Sequence, residues 1–156
     1  MTTLQLTPKL VIGRPDEPGG ADRAIAYYRH VLGAEIVSRH TMGRTVVFAE
    51  LTLPGGSTLQ VKDADEHDPG APGQGGGVIL SLVCADPDTL VARALDGGGE
   101  VVFPVQDQPY GSRQGRFRDP FGHQWIVGTP LTMSETQIQD ALDAWGADGA
   151  GPQDSS

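Results

Sequence analysis

The spacing of apolar side chains changes period along this chain, and each change predicts an element. Residues 4–12 read as a short strand, and a turn-rich loop with Pro15 and Pro18 follows over 13–20. From Ala21 the period lengthens. Ile25, Tyr28 and Leu32 fall at i, i+3 and i+7, one face of a helix. That helix ends at His30 or Leu32, with Gly33 where a C-cap belongs. Strands are predicted over 35–39, 45–53 and 58–62, the last two separated by the turn signal Pro54-Gly55-Gly56. The order is β-α-β-β-β.

Residues 63–77 form a polar stretch rich in Gly, Pro and Asp, which reads as a linker. Its glycines, from Gly73 to Gly77, lack the Lys-Ser/Thr pair that completes a phosphate loop. The order then repeats. Residues 78–83 are a continuous apolar strand, and Asp86 caps a helix whose first turn holds Pro87. Leu90, Ala94 and Leu95 are its expected buried face, and Gly97 to Gly99 stop it. Strands follow over 100–105, 115–118 and 124–127, with Asp119-Pro120-Phe121-Gly122 turning between the last two. Gly33-Ala34-Glu35-Ile36-Val37 also matches Gly98-Gly99-Glu100-Val101-Val102, each after an amphipathic helix.

The expected architecture is α+β, with two tandem βαβββ modules (4–65 and 78–131) joined by a linker over 66–77. One such unit cannot bury its sheet face alone, and two side by side enclose a concave surface. Ser134 begins a final helix over 134–146, with Gln137 completing a capping box. Its stripe of Ile138, Ala141, Leu142 and Trp145 should dock on the body or on a partner. The tail over 147–156 is small and polar and is expected to be disordered.

Charge narrows the function. The 156 residues hold 20 acids against 11 Lys and Arg, a formal net charge of −9. A phosphate-binding surface needs clustered cations, so nucleic acid is excluded as the expected partner. No segment has the ~20 consecutive apolar residues of a membrane helix, and no secretory leader opens the chain, so a cytoplasmic protein is expected. The lone Cys84 follows an apolar run and reads as a small buried hydrophobe.

Residues 24–35, Ala-Ile-Ala-Tyr-Tyr-Arg-His-Val-Leu-Gly-Ala-Glu, resemble the first-helix motif of the vicinal-oxygen-chelate superfamily. Tyr110-Gly111-Ser112-Arg113 and Asp119-Pro120-Phe121-Gly122-His123-Gln124-Trp125 are similar to the C-terminal motif of its PhnB-like and bleomycin-resistance-like branch. The resemblance spans about residues 5–131. It implies the glyoxalase/bleomycin resistance/dioxygenase fold, with a cavity between modules, and it implies homodimerisation. Members include glyoxalase I, extradiol dioxygenases, fosfomycin-modifying enzymes and metal-free antibiotic-binding proteins, so the fold alone does not fix the function.

Metal-dependent members place ligands on the first and last strand of each module. By that resemblance the positions fall at or near Thr7, Gln60, Ile79 and Ile126. A divalent ion needs converging imidazole, carboxylate or thiolate groups. Three of the four positions lack any, and Gln60 is a poor donor. His30, His40 and His67 lie at a helix end, a strand end and in the linker, and His123 is expected to make a structural hydrogen bond. No metal and no other cofactor is expected.

Strand alternation puts Lys9, Thr58, Lys62, Ser81, Gln124 and Gly128 on the same faces as those four positions. Phe48 and Glu50 share a face, where a ring and a carboxylate suit a flat or cationic ligand. Trp125 falls on the helix side as core, with ligand stacking as its other role. By resemblance Tyr110, Arg113 and Arg116 lie near the cavity mouth. Three functions fit. The first is a metal-free protein that sequesters or carries an aromatic or polycyclic small molecule, as in antibiotic resistance. The second is an enzyme of the same fold, either a metal-dependent lyase or dioxygenase, or an isomerase or cyclase using Glu50 as base. The third is an interaction module working through its last helix.

Overall fold

The computed structural model describes residues 3–70 and 77–147. It divides into two compact units, Met1–Gly76 with Phe121–His123, and Gly77–Pro120 with Gln124–Ser156. Each holds one βαβββ module. Among the described residues no helix is long and apolar enough to cross a membrane.

The first unit runs β1 (Lys9–Ile12), α1 (Gly20–Leu32), β2 (Glu35–Met42), β3 (Thr45–Thr52) and β4 (Thr58–Asp63), with sheet order β1-β4-β3-β2. β1 lies parallel to β4, and the other neighbours are antiparallel. The strand expected from residue 4 begins only at Lys9. Its ladder starts where Lys9 meets Gln60, and Leu4 and Leu6 stay 90% and 97% exposed. α1 buries Ala21, Ala24, Ile25, Tyr27, Tyr28 and Val31, whereas Leu32 is only half-buried. Gly33, at φ 70°, closes the helix as read from the sequence. Its N–H donates to the Arg29 carbonyl, and only glycine takes that backbone conformation without strain.

Asp63 corrects the expected linker boundary. It ends β4, is 1% exposed, and fastens the unit together. Gly19 gives α1 no side-chain cap. Instead Asp63 Oδ1 accepts the N–H groups of Ala21 (2.8 Å) and Gly19 (3.3 Å), and Oδ2 accepts that of Val46 (2.8 Å). A carboxylate at a helix N-terminus satisfies orphan donors and complements the helix dipole. Residues 121–123 also pack in this unit. The Phe121 ring meets Tyr27 edge-on at 5.8 Å, and His123 Nε2 lies 3.1 Å from the Val11 carbonyl, the structural hydrogen bond expected of that histidine.

The second unit runs β5 (Ile79–Val83), α2 (Pro87–Asp96), β6 (Glu100–Asp107), β7 (Arg113–Arg118), β8 (Gln124–Gly128) and α3 (Glu135–Ala147), with sheet order β5-β8-β7-β6. Asp86 caps α2 as expected, accepting the Thr89 N–H at 3.1 Å. The buried face of α2 is Pro87, Val91 and Ala94. Leu90 and Leu95, expected there, are half-buried. Cys84 is half-buried rather than buried, and burial pushes its thiol up, away from the reactive thiolate. β6 outlasts its expected end by two residues. Pro104 sits on this edge strand at an irregularity in register between Phe103 and Gln106, where no ladder N–H is needed. The capping box of α3 forms as read: Ser134 N–H donates to Gln137 Oε1 (2.9 Å), and Gln137 N–H to Ser134 Oγ (3.2 Å). No residue of α3 is buried, and its stripe of Ile138, Ala141 and Trp145 is half-buried. The tail beyond residue 147 lies outside the described residues.

Candidate functional site

In the first unit Leu10, Ile12, Leu51, Leu59 and Val61 make the buried face of the sheet. The opposite face carries Lys9, Gln60 and Glu50 in one lateral row, because Lys9 pairs with Gln60 and Gln60 with Glu50. Between the pairs His40–Phe48 and Thr41–Val46, β3 gains one residue. This bulge leaves Val46 on the buried side, while Phe48 shares the face of Glu50 by alternation. The Phe48 ring is already engaged: Lys9 Nζ lies 5.4 Å from its centroid and the His40 ring 6.1 Å away. Glu50 and Gln60 are half-buried, with no side-chain hydrogen bond among the described residues. Thr7 precedes β1 and meets Thr58, hydroxyl to hydroxyl, at 3.3 Å.

Lys62, expected to face a cavity, is 7% exposed and held by acids of the polar stretch. Its Nζ lies 2.7 Å from Asp65 Oδ2 and also pairs with Asp68. The Lys62 ammonium, with the N–H groups of Asp68 and His67, holds the Asp65 carboxyl at about 2. This lysine is therefore committed within its own unit.

The second unit holds a cavity of about 620 Å³. Phe103 of β6 pairs in register with Arg116 of β7, and Arg116 with Ile126 of β8, so the three form one row across the sheet. All three line the cavity, together with Pro104, Gln106 and Tyr110. The bulge at Pro104 lets both Phe103 and Gln106 reach it. Leu142 and Trp145 of α3 complete the apolar lining. Tyr110 donates its hydroxyl proton to Gln114 Oε1 at 2.8 Å, and burial raises its phenol above the usual range.

Of the residues singled out in the sequence, Tyr110, Arg116 and Ile126 come together here. Two others do not. Trp125 is 2% exposed, stacks on Phe117 at 6.4 Å and donates its indole N–H to Asp119 at 2.9 Å, so it is core, not cavity wall. Strand alternation put it there from the sequence, and the ligand-stacking role falls away, since Ile126 next to it faces the cavity. Arg113 pairs with Asp88 (2.7 Å) and Asp107 (3.1 Å), outside the lining. Those two carboxylates hold its guanidinium well above the usual range. Ile79 is 41% exposed and Ser81 is exposed on β5, and neither lines the cavity.

The sequence model of the Glyoxalase/Bleomycin resistance protein/Dioxygenase superfamily matches residues 19–127. The chain belongs to this superfamily. The solved structure of TioX from Micromonospora sp. ML1 is 26% identical and superposes with a TM-score of 0.61, covering 83% of this chain and all of that one. A PhnB protein from Bacillus cereus shares the fold at 20% identity and a TM-score of 0.65, over 81% of this chain and 100% of that one. The uncharacterized protein Mb0911c of Mycobacterium bovis is 39% identical over 70 residues, 44% of this chain and 46% of that protein. This chain thus matches under half the length of its curated relative.

Some superfamily members hold a metal; the structure of FosX from Listeria monocytogenes, 12% identical over 85% of this chain and 96% of that one with a TM-score of 0.58, is a complex with Mn(II) and sulfate. The donors in this chain do not fit such an ion. The paired first and last strands present Lys9 beside Gln60 in the first sheet and Ser81 beside Ile126 in the second. Neither pair, an ammonium beside an amide or a hydroxyl beside an alkyl group, is a divalent-cation set. Among the described residues no three His, Cys, Asp or Glu side chains gather at one point.

Proposed function

We propose that this superfamily member binds a flat aromatic or polycyclic small molecule in the cavity of its second unit, without a protein-held metal, and sequesters or carries it. The cavity's composition supports the reading. Phe103, Tyr110 and Trp145 supply three aromatic walls, Ile126 and Leu142 two aliphatic ones, and Gln106, Gln114 and Arg116 a few polar groups. Its volume falls in the range of roughly 300–1,000 Å³ typical of small-molecule sites. Aromatic walls favour stacking on a planar ligand. The lining contains no histidine or cysteine, and its one acid, Asp107, is tied to Arg113, so no nucleophile–base pair is assembled there.

A thermal-shift screen of the full chain against polycyclic antibiotics, aromatic natural products and Zn(II), Mn(II) and Ni(II) salts tests this. Binding linked to the native state stabilises it by about 2.7 kcal/mol at a hundredfold excess over Kd. Planar aromatic compounds should raise the melting temperature, and Trp145→Ala should weaken that response. Stabilisation by a metal ion and by none of the organic compounds contradicts the reading.

A further inference from the structure

Resting on that reading of the cavity, we infer that the ligand is an aromatic acid whose anionic group is received by Arg116. Two charged residues line the cavity, Asp107 and Arg116. Asp107 is neutralised by the Arg113 guanidinium at 3.1 Å. Arg116 has no acidic partner among the described residues, and its buried Nε has no hydrogen-bond partner. The chain has ample carboxylates to supply one, with 20 acids against 11 Lys and Arg. Arg118, two residues along the same strand, also has an unpartnered buried Nε but pairs with Glu100 at 3.6 Å, so the missing carboxylate is what sets Arg116 apart.

What holds Arg116 is a cation–π contact. Its Cζ lies 5.0 Å from the centroid of the Phe103 ring, its neighbour in register. A cation over a ring face is steadied electrostatically while its N–H donors remain available. A guanidinium presents a planar fork that matches a carboxylate, with two parallel charge-assisted hydrogen bonds. A guanidinium in the cavity lining with no carboxylate of its own keeps its charge, and an incoming anion would neutralise it. The aromatic walls would hold the ring system while Arg116 takes its acid group.

The test is calorimetric titration of the full chain with 2-naphthoate and anthracene-2-carboxylate, each against its uncharged carboxamide. The wild type should bind each acid at least about tenfold more tightly than its amide, as a charge-assisted pair implies. Arg116→Met should erase that preference, and Arg116→Lys should keep part of it. Equal affinities of acid and amide in the wild type, or a preference that survives in Arg116→Met, would overturn the inference and leave the cavity reading standing. Binding of neither acids nor amides would overturn both.

Discussion

The two units share one strand order and one device, a cation set over a phenylalanine ring on the non-core face of the sheet, yet they use it differently. In the first, exposed Lys9 lies over Phe48, and the nearby Lys62 is committed to Asp65 and Asp68. In the second, Arg116 lies over Phe103 at the wall of a 620 Å³ cavity, without an acid of its own among the described residues. Packing differs in the same sense. Among the described residues the first unit owns fifteen of the twenty buried hydrophobic residues and the second only five. The first module has closed its core, and the second leaves apolar side chains half-covered, free to meet a ligand. On the proposed function, the repeated frame separates stability from binding, one task to each copy.

The sharpest way to break that contrast is Asp63→Ala. It strips the acceptor from three backbone N–H groups in the closed core. The expected loss is about 3–5 kcal/mol in urea unfolding, from stranded donors and a missing helix cap. A loss below 1 kcal/mol would mean that Asp63 does not fasten the first unit. Trp125→Phe should cost about 1–3 kcal/mol, because the Asp119 carboxylate loses its buried indole donor. Ligand affinity should change little, since Trp125 lies outside the lining.

Truncation after Thr132 sharpens the comparison from the binding side. No residue of α3 is buried, so stability should fall by less than about 1 kcal/mol. Removing Leu142 and Trp145 from the cavity should weaken aromatic binding about tenfold or more, measured by calorimetry. Unchanged affinity would return α3 to the role of a protein-docking helix. The smallest effect concerns Lys62. The Asp65 carboxyl is held at about 2 against an ordinary 3.8, so the pairing stabilises fully above about pH 3.8 and is lost as pH falls through about 2. Carboxyl ¹³C titration should find that low value in the wild type and a higher one, still below the ordinary value, in Lys62→Met, where the Asp68 and His67 N–H groups remain.

Most of the fold was legible because it rests on period and punctuation. The helix stripe around Tyr28, the Gly33 cap, the Asp86 cap and the Ser134–Gln137 box depend on residues adjacent in sequence. Asp63 was misread because its three partners lie 17 to 44 residues away, and a lone acid beside a polar stretch looks solvated. Phe103 was missed as a wall. Its side chain reaches the cavity through a bulge at Pro104, and period-2 counting does not register a bulge. Trp145 was read on the correct stripe, but an amphipathic stripe says only that something apolar covers it. Arg113 and Arg116 were both expected near the cavity mouth by resemblance. Asp88 and Asp107, which claim only the first, come from other elements of the unit.

The chain's two tryptophans allow the most direct check, because one sits in the core and the other in the cavity wall. Their indole N–H resonances can be assigned with Trp125→Phe and Trp145→Phe and followed by ¹H–¹⁵N NMR as 2-naphthoate is added to the full chain. The Trp145 signal should move to saturation while that of Trp125 stays in place. A Trp125 signal that moves while that of Trp145 does not, or saturable binding that shifts neither, would contradict a ligand site in the second unit's cavity.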